Sequence, residues 1–216
     1  MILDGVAGIS VLLALFMALG WAPTDATMGH LQRIFYLHVS TAWVGFLALF
    51  MGLVGGILYL RKGKAQFDNL SQGSVEIGFA FITVAIITGS IWAKPVWNTW
   101  WTWEPRLTTA AILWLVYLAY FMLRGGISDP ERSARLAAVY TIPASVSIPF
   151  TFMAIFLWRG MHPVMGGLAP RMLVTLLTSV GAFTLLYLAL LRHRMRLAYL
   201  SQEIESLHEQ LEGRGV

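Results

Sequence analysis

Long, almost uncharged apolar runs alternate with short polar segments along this chain. A helix that crosses a bilayer needs about 20 mostly apolar residues. Six runs meet that requirement, at roughly 3–22, 36–60, 75–93, 107–123, 136–158 and 171–191. The pattern predicts an all-α polytopic membrane protein with six transmembrane helices. The first run reads as a span rather than a signal peptide. Asp4 is its only charge, and no clear small-residue cleavage site precedes Pro23. Pro143 and Pro149 fall inside the fifth run and predict a kink. There is no internal repeat and no low-complexity linker.

Composition sharpens this reading. Charged residues make up 12% of the chain and hydrophobic ones 57%, whereas a soluble domain is about a quarter charged. A soluble enzyme, a disordered tail and a secreted disulfide scaffold are excluded. The chain has no cysteine. It therefore carries no thiol nucleophile, no disulfide, no iron–sulfur ligand set and no C-x-x-C-H haem attachment site. The net charge of +4 does not point to nucleic acid, because basic residues in a membrane protein mostly report topology.

Those basic residues predict the orientation. Arg61, Lys62 and Lys64, then Arg124, Arg132 and Arg135, then Arg192, Arg194, Arg196 and Arg214 fall on one side. Arg33, Lys94, Arg106, Arg159 and Arg171 fall on the other. The excess places the even loops and both termini in the cytoplasm. After residue 195 the composition changes. Leu197, Leu200, Ile204, Leu207 and Leu211 form a heptad stripe bordered by Glu203, Glu205, Glu209 and Glu212. The expected organisation is a membrane domain over 1–195 and a cytoplasmic amphipathic tail over 196–216. Two readings of that tail stand: an extension of the sixth helix, or a helical contact with a partner subunit.

The orientation also sorts the histidines. His193 and His208 fall on the cytoplasmic side among polar neighbours and read as solvated. His30, His38 and His162 fall on the outer side. His38 opens the second span and His162 follows the fifth. Imidazoles at one depth on two helices could clamp a planar metal complex from opposite faces, and imidazole is a common axial ligand of haem iron. Each alone could equally be an ordinary hydrogen-bonded histidine, and His30 is read so.

The third loop, 92–106, holds five of the nine tryptophans, between Trp92 and Trp103. Tryptophan favours the headgroup region, so an aromatic belt is one reading. A ligand platform is the other. A helical loop would put Trp97, Trp100, Trp101 and Glu104 on one face, a flat aromatic surface in the interface plane. Haem suits such a surface, and its propionates could pair with Arg106, Lys94 or Arg33.

Several motifs then follow in a telling order. Trp21-Ala22-Pro23 closes the first span. Arg33-Ile34-Phe35-Tyr36-Leu37-His38-Val39 opens the second. Thr88-Gly89-Ser90-Ile91-Trp92-Ala93-Lys94-Pro95 leads into the loop, and Trp97 to Thr108 carries a tryptophan run ending in Arg-Leu-Thr. Nearly the whole chain, apart from the heptad tail, resembles the haem exporter protein C family of cytochrome c maturation, with its "WWD" outer loop. Asn98 stands where that family has glycine, Glu104 where it has aspartate, and Ser40 where proline is usual. Asparagine tolerates left-handed backbone geometry better than most residues.

The resemblance implies a protein of the bacterial cytoplasmic (inner) membrane that holds non-covalent, transient haem b at the outer face. It implies His38 and His162 as axial ligands of the haem iron, and Trp97, Trp100, Trp101 and Trp103 as the platform. It implies delivery to a membrane-anchored haem chaperone, on which the haem becomes covalently attached. The implied partners are the ATPase and membrane subunits of an ATP-binding cassette transporter and a small single-span subunit. The chain has no phosphate-binding G-x-x-x-x-G-K-[ST] loop, so ATP hydrolysis falls to a partner. No conventional active site is expected. Two other functions share part of this pattern. A holocytochrome c synthetase also uses a WWD loop, but usually with more helices and more haem-ligating histidines. A transporter or channel subunit would need ionisable residues along a path through the bilayer, and Glu76 is nearly alone in the spans. Glu76 is read as a snorkelling structural residue.

Overall fold

The computed structural model describes residues 2–158 and 167–212. Six helices in it are long and apolar enough to cross a membrane. The first, α1 (Ile2–Phe16), continues as a π-helical turn over Met17–Trp21 and stops before Pro23. Two long helices follow, α2 (Gln32–Lys62) and α3 (Ala65–Trp97), and then α4 (Pro105–Gly125). The fifth span is broken for one residue at Val146 into α5 (Pro130–Ser145) and α6 (Ser147–Leu157). Pro149 has no N–H to offer the carbonyl of Ser145, and Pro143 lacks one in the turn before. The predicted kink therefore takes the form of a break. The sixth span belongs to α7 (Pro170–Glu212), one helix of 43 residues. The helix runs on through the heptad stripe. Leu197, Ile204 and Leu211 on that stripe are exposed.

The α2–α3 hairpin is the most extensively packed pair among the described helices. Apolar surface gains little by leaving lipid for another helix, so close backbone packing must hold membrane helices together. Gly55 provides it here. A Cβ on Gly55 would lie 2.6 Å from the backbone nitrogen of Ser71, and Ser71 Oγ donates to the carbonyl of Gly52 at 2.8 Å. Leu49, Val75, Leu113, Tyr117 and Tyr120 form the buried centre among α2, α3, α4 and α5.

The two ends of the bundle differ. At one end, Asp68 of α3 takes a two-pronged contact from Arg124 of α4, with Nη1 to Oδ1 at 2.8 Å. Glu76 takes another from Arg194 of α7, Nη2 to Oε1 at 3.0 Å, and accepts from Gln72 Nε2 at 2.8 Å. Glu76 is thus an ion-paired tie between spans rather than a snorkelling residue. His193 Nε2 lies 2.7 Å from Asp4 Oδ1, which joins the start of α1 to α7. His193 is half exposed, so it is both solvated and paired. At the other end, α1, α2, α3 and α7 meet around Ala18, Phe35, Tyr36, Trp92, Met172 and Leu176. That second cluster sets the position of the tryptophan-rich loop.

Candidate functional site

His38 lies two turns into α2, against α3. Its Nδ1 is 2.9 Å from the carbonyl oxygen of Ala85 and 3.3 Å from Thr88 Oγ1. A carbonyl only accepts, so Nδ1 carries the proton and donates. In the neutral ring the lone pair then sits on Nε2. Metal-ligating histidines are usually oriented in this way, by a hydrogen bond from the other ring nitrogen to a carbonyl or carboxylate. Thr88 Oγ1 donates to Val84 O at 2.8 Å, so toward the ring it acts as an acceptor. The ring packs flush on Gly89. A Cβ there would come within 2.8 Å of His38 Cε1 and 3.2 Å of Nδ1.

This imidazole lines a cleft among α2, α3, α4 and α6 with about 980 Å³ of atom-free space, part of it open at the mouth. The walls are mostly apolar. Trp92, Trp97 and Trp101 stand near the loop end, and Phe46, Ile82 and Leu113 form the far end. Phe46 is eight residues past His38, about 12 Å along a helix. The cleft therefore runs from the loop toward the middle of the bundle. Small residues such as Ala42, Gly89 and Ala110 leave the room. Arg106 adds a cation to the wall.

The loop does not form the single helical face that its spacing suggested. α3 continues through Trp97 and ends at Asn98, which has φ 56° and ψ 19°. Asn98 is the one described non-glycine residue with positive φ. The left-handed geometry expected of asparagine at this position is what the chain uses. Lys94 Nζ reinforces the stop by donating to the carbonyl of Asn98 at 3.2 Å, a favourable place for a cation at a helix C-terminus. Residues 98–104 are irregular, and Pro105 starts α4 at its first turn. The five tryptophans therefore divide. Trp92, Trp97 and Trp101 face the cleft. Trp100 and Trp103 are exposed outside it, and Trp103 meets Trp101 edge to face at 5.8 Å and 77°.

The other expected residues also divide. Arg106 is in the cleft wall, and among the described residues no carboxylate lies within ion-pair distance of it. Lys94 is occupied at the helix end and does not line the cleft. Glu104 precedes Pro105, half-buried, close enough to act on Arg106 electrostatically. His30 is exposed. His162 lies outside the described residues.

Three residues escaped the sequence reading. Trp92 was one of five in a crowded loop. Its burial against Phe35 at 5.9 Å and His38 at 6.1 Å separates it from the others. Its Nε1 is buried with no hydrogen-bond partner among the described residues. Gly89 was visible only as a member of a motif. Met28, from the loop after the first span, lines the cleft as well. Nothing in its neighbourhood of the sequence signals this.

Known proteins share this layout along the chain. Residues 1–210 match the family described as heme exporter protein C. The heme exporter protein C of Bradyrhizobium diazoefficiens is 33% identical over 193 residues, covering 86% of this chain and 73% of that protein. The one of Rhodobacter capsulatus is 29% identical over 214 residues, covering 93% and 88%. The one of Escherichia coli K12 is 32% identical over 189 residues, covering 82% and 74%.

Proposed function

The chain belongs to the heme exporter protein C family of cytochrome c maturation, and on that premise we propose that its cleft holds haem at the outer face of the bacterial cytoplasmic membrane for delivery to a membrane-anchored chaperone. One observation carries the reading. His38, its Nδ1 held by the Ala85 carbonyl, stands in an apolar, tryptophan-walled cleft that also contains Arg106. That is the donor set a flat iron macrocycle with carboxylate arms requires: a ligating nitrogen, aromatic walls and a forked cation.

In this reading His38 is one axial ligand of a non-covalent b-type haem and His162 the other. Trp97 and Trp101 flank the macrocycle, and Arg106 pairs with a propionate. Burial of apolar surface contributes about 25 cal/mol per Å² removed from water. Trp100 and Trp103 complete the platform from the same loop, and their exposure supports contact with the headgroup region or the docking chaperone as well. Lys94 and Glu104 act on the loop rather than on the cargo: Lys94 fixes its start, and Glu104 adds negative charge beside Arg106. The chain binds and positions, and its partners supply the energy. Those partners are the ATPase and membrane subunits of an ATP-binding cassette transporter and a small single-span subunit. The basic residues beyond α2, α4 and the sixth span support cytoplasmic termini. Residues 196–216 then form a cytoplasmic tail beside a 1–195 membrane domain.

The test is the visible spectrum and haem content per chain of the purified protein, beside His38→Ala and His162→Ala. A low-spin spectrum that is lost or altered in each variant is expected. Unchanged spectra and occupancy in both would overturn the ligand assignment. Transfer of haem to the chaperone, rather than directly to a C-x-x-C-H peptide, would separate delivery from cytochrome synthesis.

A further inference from the structure

The loop between the first two spans contributes a side chain to the cleft, and its geometry is built to do so. Asp25 Oδ1 accepts three hydrogen bonds, from the backbone N–H of Thr27 at 2.8 Å, from Thr27 Oγ1 at 2.7 Å and from the backbone N–H of Met28 at 2.7 Å. Gly29 N donates to the Asp25 carbonyl at 3.1 Å, and Gly29 closes the turn with φ 58°. The residue held between these two fixed points is Met28. It is half-buried, packs against the cluster that contains Phe35, Tyr36 and Trp92, and reaches the cleft wall that His38 and Arg106 share. Its neighbours Thr27 and His30 are exposed. The turn thus directs Met28 inward, beside Leu31 of the same loop, and of the two Met28 lines the cleft.

We propose that Met28 is a cargo-contacting residue that closes the loop end of the cleft over a porphyrin, with the Asp25–Gly29 turn as its mount. A thioether suits the task. It is unbranched and polarisable, fits irregular gaps, and packs favourably against aromatic faces. The other walls come from α2, α3, α4 and α6 and from Trp101, and Met28 is the side chain that the loop between the first two spans adds to them. The proposal rests on the haem reading of the cleft.

Two measurements test it, both on the full chain. The first is protection of Met28 from chloramine T, read as sulfoxide by peptide mass spectrometry, with and without zinc protoporphyrin IX in the dark. Bound porphyrin is expected to slow oxidation of Met28, and to do so less in His38→Ala. The second is the dissociation rate of ferric haem. Met28→Ala is expected to release haem about tenfold faster. Met28→Leu, which keeps the bulk, should stay close to the parent rate. A porphyrin that binds with a shifted Soret band yet neither protects Met28 nor leaves faster from Met28→Ala would overturn this proposal and leave the cleft reading intact. No Soret shift in the parent protein, or one insensitive to His38→Ala, would overturn the cleft reading and this proposal with it.

Discussion

His38 on α2 and Ala85 on α3 are joined by a hydrogen bond of 2.9 Å from the imidazole Nδ1 to the main-chain carbonyl. The bond orients the ring with an acceptor that no substitution at position 85 removes. It also ties the ring to α3, the helix that carries Trp92 and Trp97. The orientation of the imidazole toward those tryptophans therefore depends on the α2–α3 packing, the most extensive among the described helices.

Gly89 is the first place to perturb that arrangement. Gly89→Ala puts a methyl 2.8 Å from His38 Cε1, too close unless the ring or the backbone shifts. Overpacking of this kind costs about 1–3 kcal/mol, and the ring can relieve it by tilting. The expected result is a protein that still purifies but whose haem spectrum is weakened or shifted. Visible absorption and resonance Raman spectra of the variant would check this. A parent-like spectrum would mean that the ring does not need its seat on α3.

Arg106 is expected to read the carboxylate edge of the cargo. A hydrogen bond to a charged group contributes about 1.5–3 kcal/mol, roughly ten- to a hundredfold in affinity. Arg106→Gln should weaken haem by that order. The parent should prefer haem to its dimethyl ester, and Arg106→Gln should lose the preference. Equal discrimination by both proteins would move the carboxylate site elsewhere.

Asp25 confers an acid limit on the loop that carries Met28. The backbone N–H of Met28, and then the hydroxyl and N–H of Thr27, hold its carboxyl below the ordinary aspartate value of 3.8. A depressed folded-state value means that the stabilisation is complete above the ordinary value and is lost as the pH falls through the folded one. The turn should therefore be insensitive to pH from neutrality down to about 4 and loosen only below that. Chloramine T reactivity of Met28 against pH would report it. Asp25→Asn should flatten the acid limb while keeping part of the turn, because its side-chain oxygen still accepts.

Glu76 and Arg194, neither of which lines the cleft, should behave as one unit. Each single alanine variant is expected to lower the melting temperature in detergent, and the double variant less than their sum. A coupling of about 1 kcal/mol is the expected size for a partly exposed pair with two hydrogen bonds. The haem spectrum should not move in any of the three. Additive losses would mean that the pair is incidental.

Much of this architecture was legible from the chain alone. Six apolar runs became six helices able to cross a membrane, because a spanning segment must satisfy its own backbone and be apolar over a fixed length, both local properties. The heptad stripe after residue 195 became helix for the same local reason. His38 could be singled out because an imidazole at the start of a span is chemically conspicuous, and Asn98 because its tolerance of positive φ is intrinsic. The resemblance to the family rested on contiguous motifs, which the chain displays without folding. What needed tertiary structure was everything that depends on direction. A tryptophan count cannot tell Trp92, Trp97 and Trp101 in the cleft from Trp100 and Trp103 outside it. The left-handed stop at Asn98 rotates the residues after it off the helical face that their spacing implied. Lys94 is drawn to the helix end by the carbonyls left unpaired there. Glu76 became a tie because α7 brings Arg194 beside it from 118 positions away. Gly89 and Met28 acquire meaning only from what stands opposite them. Periodicity along a chain sets where apolar surface lies, but a site is made of distances between segments, and only packing decides those.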